Sequence, residues 1–324
     1  MRHILAATAL AAALASPSGA KEIPGRTQAV IDVHRHGAWP DGDDAFYLAK
    51  TLSTMADNGV RLSVISLTDY EDVETWVDAA PGAFIAGVMV GCPRNAAEPR
   101  YKCFPSSEGW VDVEWLRDQV VRGKIGALHE IGPNYLGMSV ANPRFAPYFA
   151  LAAEFDLPVG VHTQRGPPPG ARNSTRKDAG CCPNYDPAMG DPSLLRPVFE
   201  RHPGLRVWIQ HVGSGRAGGY EPFWDETLAL LEDYPNVYLD LSITNGPRPI
   251  AQYEHSLRVL IDAGFGDRIM FGSDNVPIDL IVNRLKSIGW LTAAQRRAIL
   301  FGNAARFFEL DDADPAVAAG DGGE

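Results

Sequence analysis

Eight short apolar runs recur along the chain, and the segments between them are long enough for helices. The runs span residues 29–36, 60–67, 82–91, 124–132, 158–164, 206–213, 236–242 and 268–274. Each has the length of a strand and is rich in valine, isoleucine or aromatic residues. The intervening segments carry amphipathic helical patterns, several of which end in glycine or proline. Near-continuous apolar strands are typical of a parallel sheet that is buried on both faces.

Eight strands that alternate with helices predict an α/β fold, a (β/α)₈ TIM barrel, with an extra C-terminal helix over "TAAQRRAILFGNAARFFEL". Two doubly wound domains are the alternative. The barrel is favoured because no linker divides the chain and because polar residues fall at the strand ends. We expect the barrel to occupy residues 21–310, and residues 311–324 to form a disordered tail of small and polar residues.

The first 20 residues differ from the rest of the chain. They combine a basic start, an apolar run from Ile4 to Ala15 and small residues after it, which is the pattern of a secretory signal peptide. Cleavage after Ala15 or after Ala20 fits the small residues there. The apolar run is too short to span a bilayer, so a membrane anchor is the weaker alternative. We therefore predict a periplasmic or secreted protein with no membrane span once the signal is removed.

The chain contains four cysteines, an even number that suggests disulfides in an oxidising compartment. Cys92 and Cys103 flank a short polar segment, and we predict that they pair with each other. Cys181 and Cys182 are adjacent, and their state is open between a vicinal disulfide, pairing elsewhere and free thiols. No C-x-x-C spacing occurs, which disfavours a thiolate zinc site.

Polar residues that can bind a metal stand at the ends of five of these strands. In a barrel the C-terminal strand ends converge on one mouth, where active sites lie. Alternation along a strand also places both histidines of the first His-x-His pair on one face. The candidate metal ligands, in chain order, are His34, His36, Glu130, His162, His211 and Asp274.

Imidazoles and carboxylates are ligands that suit a divalent transition metal. Zinc is favoured, manganese and iron are alternatives, and one or two ions would fit this number of ligands. The 40 acidic residues against 29 basic ones disfavour a nucleic-acid partner, so we expect a small-molecule substrate. A homodimer is an alternative to the monomer that the sequence leaves open.

The order and strand placement of these motifs resemble the amidohydrolase superfamily. The terminal "ILFGNAARFFEL" is similar to the closing helix of its amidohydrolase-related (amidohydrolase 2) branch, which includes aminocarboxymuconate-semialdehyde decarboxylase-like proteins. The resemblance covers residues 29–310 and implies that His34, His36 and His162 bind the metal. It implies that Asp274 binds the metal and takes a proton from its water. His211 would bind a second metal or act on the substrate, and Glu130 matches a bridging position that one-metal members do not need.

Three further residues lie close to these ligands in the sequence pattern. Asp32 shares the parity of His34, and a structural hydrogen-bonding role is favoured for it over catalysis. Asp240, at the end of strand seven, can orient a ligand histidine or serve as a buried polar residue. His129 should face away from Glu130, and a one-residue error in strand phase would exchange the two.

Arg165 and Arg216 follow the strand-end histidines closely, and we expect them to bind a substrate carboxylate or phosphate unless they are solvated loop residues. The long loops over residues 92–110 and 165–193 should shape the substrate pocket. The sequence thus predicts an exported hydrolase that uses metal-activated water on a C–O or C–N bond of a lactone, ester or amide, with Asp274 and His211 as catalytic residues. The alternatives are a one-metal nonhydrolytic decarboxylase and an inactive barrel that binds a small molecule.

Overall fold

The structure is a computed structural model that describes residues 28–37, 44–67, 70–90, 110–172, 182–214 and 223–310. Its strands form one sheet whose order follows the chain, and all neighbouring pairs are parallel. The predicted TIM barrel is therefore confirmed. The strands are β1 (Val30–His36), β2 (Val60–Leu67), β3 (Phe84–Val90), β4 (Ala127–Ile131), β5 (Val159–His162), β6 (Val207–Gln210), β7 (Val237–Asp240) and β8 (Ile269–Met270).

Helices connect the strands on the outside of the barrel. Between β1 and β8 the described residues form α1 (Asp44–Asn58), α2 (Tyr70–Ala79), α3 (Val113–Val121), α4 (Pro133–Leu136), α5 (Ala146–Glu154), α6 (Arg196–Arg201), α7 (Trp224–Asp233) and α8 (Ile250–Asp262). After β8 come α9 (Ile278–Ser287), α10 (Ala293–Arg297), a π-helical turn (Ala298–Gly302) and α11 (Asn303–Phe307). The last three are contiguous and form the predicted C-terminal helix.

The C-terminal helix packs over the N-terminal end of the barrel. Its Phe307 and Phe308 place their rings 5.9 and 5.6 Å from the ring of Trp208, which lies inside the barrel. The same apolar layer contains buried residues from β1, β2, β4 and β8, which are Ile31, Val33, Leu62, Val64, Ala127 and Met270. Because this end is filled by apolar side chains, the polar strand ends at the opposite mouth are the part of the interior that is left for chemistry.

Hydrogen bonds bring the end of β8 against β1. The amide of Val33 donates to the carbonyl oxygen of Phe271 at 2.9 Å, and Ser273 donates its amide and hydroxyl to the Asp32 carboxylate at 2.9 and 2.6 Å. Burial raises the pKa of Asp32, and the nearby charge of Arg35 offsets only part of that rise. Asp32 thus has the structural role that the sequence favoured, and it fixes the segment on which Asp274 stands.

Several expectations fall on parts of the chain that the structure does not describe. The predicted signal peptide, the predicted tail and the Cys92–Cys103 pairing all lie outside the described residues. Cys182 is described and is disulfide-bonded. The other three cysteines lie outside the described residues. Among the described helices, none combines the length and apolar composition needed to cross a bilayer.

Candidate metal centre

The six predicted ligands converge at the mouth of the barrel. They form three overlapping groups, and within each group the potential ligand atoms lie within 4.8 Å of one another. The groups are His34, His36 and Glu130; His34, His211 and Asp274; and Glu130, His162 and His211. Strands β1, β4 and β5 and the segments that follow β6 and β8 thus each supply at least one residue to a single cluster, as expected at the mouth of a parallel barrel.

The first half of this cluster joins the end of β1 to the segment after β8. His36 Nε2 lies 3.1 Å from Asp274 Oδ1, and His34 Nε2 lies 3.9 Å from the same oxygen. The amide of Asp274 donates to the carbonyl oxygen of His34 at 2.7 Å, which holds the aspartate beside both histidines. Two imidazoles and one carboxylate therefore face a common point.

The second half of the cluster is built around Glu130. Its Oε1 atom contacts His162 Nδ1 and lies 3.3 Å from His211 Nε2. Its Oε2 atom lies 3.6 Å from His36 Nε2, on the side of the first half. One carboxylate therefore presents one oxygen to each half of the cluster.

The electrostatic balance of the cluster keeps its carboxyl groups ionised. Burial by itself raises the pKa of Glu130, but the charge and hydrogen bond of His162 outweigh it and place that pKa well below its usual value. Burial likewise opposes ionisation of Asp274, but the hydrogen bond from His36 and the charge of His34 lower its pKa. Both groups are therefore negatively charged at neutral pH and available to a cation.

Asp240 stands behind His34, as the sequence suggested. Its Oδ2 atom lies 3.0 Å from His34 Nδ1, and both residues are fully buried. Burial lowers the pKa of His34, but the carboxylates of Asp240, Asp274 and Glu130 outweigh it and raise the pKa to about 10. The interpretation of Asp240 as the residue that orients a ligand histidine agrees with this contact.

Two of the cluster residues have an unusual backbone conformation. His211 has φ of 62° and Asp274 has φ of 47°, values in the left-handed region that non-glycine residues seldom occupy. Asn275 follows with φ of 58°, and its side-chain amide pairs with the backbone N–H and C=O of His36 at 3.2 Å each. Such conformations concentrate at functional sites. This local geometry turns both side chains toward the mouth after their strands have ended.

His129 lies inside the barrel next to Glu130, and the predicted alternation between them is wrong. Its buried ring is 5.0 Å from the ring of His34 and 6.1 Å from the ring of His36. The physical reason is an extra residue in β4, because its pairing with β3 and β5 shifts register after Leu128. Burial lowers the pKa of His129, and the positive charges of the two other histidines lower it further.

The donor atoms fit a divalent transition metal. His34 Nε2 is buried and has no hydrogen-bond partner, although the other ring nitrogen is held by Asp240. A buried polar atom without a partner is rare, and here it points to a ligand. Imidazoles with two carboxylates are a donor set that suits zinc, manganese or iron. The six residues of the cluster would hold such an ion or a pair of ions.

Of the two arginines predicted to bind substrate, only Arg165 lies among the described residues. Arg165 follows β5 with an exposed side chain, and its guanidinium lies over the ring of Phe223 at 5.9 Å. Its carbonyl oxygen accepts hydrogen bonds from Asn134 and Tyr185 at 3.1 and 2.8 Å, so its backbone is fixed beside the mouth. Arg216 lies outside the described residues, as does most of the loop over residues 92–110. Contact of either arginine with substrate stays a prediction.

Tyr135 and Ser242 also contact the cluster, and neither is among the residues predicted from the sequence. The ring of Tyr135 lies 5.4 Å from the ring of His162, and Ser242 Oγ lies 2.9 Å from His211 Nδ1. Tyr135 follows β4 in a short helix, and nothing in the sequence distinguishes it from a core aromatic. Ser242 carried a usable signal, because it lies two residues after Asp240 at a strand end and shares its parity.

The absence of a side chain at Gly272 makes room for His34 and Asp240. A Cβ atom at this position would lie 2.8 Å from His34 Cβ and 3.0 Å from Asp240 Cγ. We expect Gly272→Ala to destabilise the fold by about 1–3 kcal/mol, the usual cost of overpacking, and to weaken metal binding. Gly289→Ala is the control, because no atom lies within 4 Å of the added Cβ. Urea unfolding of both variants measures the difference, and equal stabilities would contradict the expectation.

Comparisons with known proteins agree with the fold. The amidohydrolase family model matches residues 31–310. A 2,6-dihydroxybenzoate decarboxylase solved with 2,6-dihydroxybenzoate is similar at a TM-score of 0.56 and 15% identity, over 87% of this chain and 100% of that chain. A Pseudomonas putida protein assigned as a 2-pyrone-4,6-dicarboxylic acid hydrolase is similar at a TM-score of 0.60 and 18% identity, over 87% of this chain and 98% of that chain.

An uncharacterised TIM-barrel protein of Bordetella bronchiseptica gives a TM-score of 0.58 at 16% identity, over 87% of this chain and 98% of that chain. At these identities the solved structures show a common fold alone. No curated protein sequence matches the chain. The family model, in contrast, spans most of the chain and nearly all of the described barrel. The chain therefore belongs to the amidohydrolase family, in its amidohydrolase-2 branch.

Proposed function

We propose that the protein is a metal-dependent hydrolase that cleaves a C–O or C–N bond of a small lactone, ester or amide. The observation that carries this proposal is the position of Glu130, with Oε1 beside His211 and Oε2 toward His36. A carboxylate placed between two groups of ligands supports binding of two metal ions, and two-metal sites recur in hydrolytic enzymes. Zinc is favoured by the donor set, and manganese and iron are the alternatives.

His34, His36 and Asp274 would hold one ion, His162 and His211 the other, and Glu130 would contact both. When bound, the metal lowers the pKa of a water ligand and polarises the carbonyl oxygen of the substrate. Asp274 stays ionised at neutral pH, so it can accept the proton of the attacking water. The water oxygen bonds to the carbonyl carbon, the C–O or C–N bond breaks, and Asp274 passes the proton to the departing oxygen or nitrogen.

The remaining residues of the mouth would bind the substrate. Arg165 is exposed beside the cluster and can pair with a carboxylate of the substrate, and Arg216 is proposed for the same role. His211 is the second catalytic residue of the proposal, because its Nε2 atom faces Glu130 in the same cluster. A small-molecule substrate is consistent with a site that lies within the barrel mouth.

We also propose that the protein is exported and acts in the periplasm or outside the cell. The signal-like pattern of residues 1–20 supports this, and the disulfide of Cys182 supports it as well because disulfides persist in oxidising compartments. A homodimer remains a prediction of the sequence.

Isotope labelling tests the reaction class. The zinc-loaded protein is incubated in H₂¹⁸O with panels of lactones, esters, amides and aromatic carboxylic acids. We expect ¹⁸O in the carboxyl group of the product, no release of CO₂, and loss of turnover after chelation that zinc restores. Release of CO₂ without ¹⁸O incorporation would identify a decarboxylase instead. Binding of compounds without turnover of any of them would identify an inactive barrel, and either result overturns the proposal.

A further inference from the structure

The hydroxyl group of Ser242 lies between histidines of the two halves of the cluster. Its Oγ atom is 2.9 Å from His211 Nδ1 and 3.2 Å from His34 Nδ1. The same oxygen lies 2.6 Å from Asp240 Oδ1. Ser242 and Asp240 are fully buried, so water does not compete for these contacts. A single hydroxyl group therefore connects one carboxylate to two candidate metal ligands.

The directions of these hydrogen bonds follow from the donors available. Asp240 Oδ1 accepts the backbone N–H groups of His211 and Ser242 at 3.2 and 3.0 Å, so this oxygen acts as an acceptor toward its neighbours. Ser242 must therefore donate its one proton to Asp240. The lone pairs of Oγ then face the histidines, so Ser242 and His211 form a hydrogen bond when the proton of His211 is at Nδ1.

The position of this proton decides whether His211 can bind a metal. A neutral imidazole carries one proton, and a proton at Nδ1 leaves the lone pair at Nε2 free. Glu130 Oε1 lies 3.3 Å from His211 Nε2 and would accept a proton there, which would block the ligand atom. Ser242 and Glu130 therefore compete for the same proton of His211, from opposite sides of the ring.

We propose that Ser242 is a positioning residue that transmits the charge of Asp240 to His211 and keeps its Nε2 atom open for the metal of the second half. The effect of Ser242 on metal binding rests on the proposed two-metal function. The contact between Ser242 Oγ and His211 Nδ1 is present without metal. His34 does not depend on Ser242 in the same way, because Asp240 Oδ2 also holds its Nδ1 directly at 3.0 Å. The two halves of the cluster thus depend on Asp240 by different routes.

This asymmetry predicts different effects for two variants. Ser242→Ala should weaken zinc binding by the second half by about 10–100-fold and leave the first half within about threefold, because partners behind ligand histidines typically contribute that much. Asp240→Asn should weaken binding by both halves. Thr244→Val is the matched control, since Thr244 is equally buried in the same segment and its hydroxyl donates to the carbonyl oxygen of Val212 at 3.2 Å.

Two measurements on the full-length protein test the proposal. Stepwise zinc affinities come from competition with a chelator, with circular dichroism to verify folding of each variant. NMR of the metal-free protein labelled with ¹⁵N-histidine detects the Nδ1 proton of His211. The signal is assigned by its absence from the spectrum of His211→Gln. In the parent protein and in Thr244→Val we expect a downfield, slowly exchanging Nδ1 proton. In Ser242→Ala we expect that proton to exchange rapidly with water.

The outcomes separate this inference from the proposed function. A single zinc ion in the parent protein would overturn the two-metal proposal, and the NMR measurement would still decide the role of Ser242. An unchanged His211 Nδ1 proton in Ser242→Ala would overturn that role. Equal weakening of both zinc sites in Ser242→Ala, or weakening of neither, would overturn it as well.

Discussion

Asp274→Asn is expected to fold normally and to lose turnover by about 10²–10⁴-fold, the range typical of a lost general base. Asparagine has nearly the same shape, so the contact of Asp274 with His36 at 3.1 Å can be kept in part. The amide, however, is a poor proton acceptor. The rate of hydrolysis is measured at saturating zinc, and metal content is determined in the same sample because occupancy can also fall.

Two variants serve as controls for this result. His36→Ala removes a proposed ligand, so it should lose mainly metal, whereas Asp279→Asn changes an exposed aspartate at the start of α9 and should change neither property. Near-normal turnover of Asp274→Asn at full metal occupancy would show that Asp274 is not the base.

Glu130→Gln should have the second large effect. The carboxylate presents Oε1 to His211 and Oε2 to His36, whereas glutamine keeps one oxygen and replaces the other with an NH₂ donor. We expect the affinity for one of the two ions to fall by at least about 100-fold, beyond the usual effect of partners behind the ligands, and turnover to fall with it. Isothermal titration with zinc measures the stoichiometry and both affinities.

Glu154→Gln is the control for the glutamate substitution. Glu154 is exposed on α5 and pairs with Arg117, and neither residue belongs to the cluster. Its substitution should leave both affinities unchanged. If Glu130→Gln binds as much zinc as the parent protein, with the same affinities, then Glu130 is not a bridging ligand.

Most of the fold could be predicted from the sequence because its signal is local and repeated. Each apolar run contains a strand, and the closing helix matches the predicted segment. The ends of the strands were predicted less exactly. The eighth run covers residues 268–274, but only Ile269–Met270 is regular strand, because the chain leaves the sheet to place Asp274 in a left-handed conformation. Such a departure follows from contacts with β1, which sequence periodicity does not contain.

The cluster was predictable for the same reason, and its details were not. Parallel strands in a barrel bring their C-terminal ends together, so the candidate ligands could be assigned to one mouth from their placement at strand ends. The direction of the His129 side chain depends on an extra residue in β4. A one-residue shift in a strand turns every later side chain to the opposite face of the sheet. The contact of Ser242 with two histidines is likewise a matter of tertiary distance rather than pattern.

An anomalous-scattering map at the zinc edge tests the central claim most directly, because it locates each ion against the residues proposed to bind it. We expect two peaks in the zinc-loaded parent protein, one beside His34 and His36 and the other beside His162 and His211, with Glu130 contacting both. In Glu130→Gln we expect one of these peaks to be lost. Active parent protein with no transition metal at these residues, or with a single ion that Glu130 does not contact, would contradict the account.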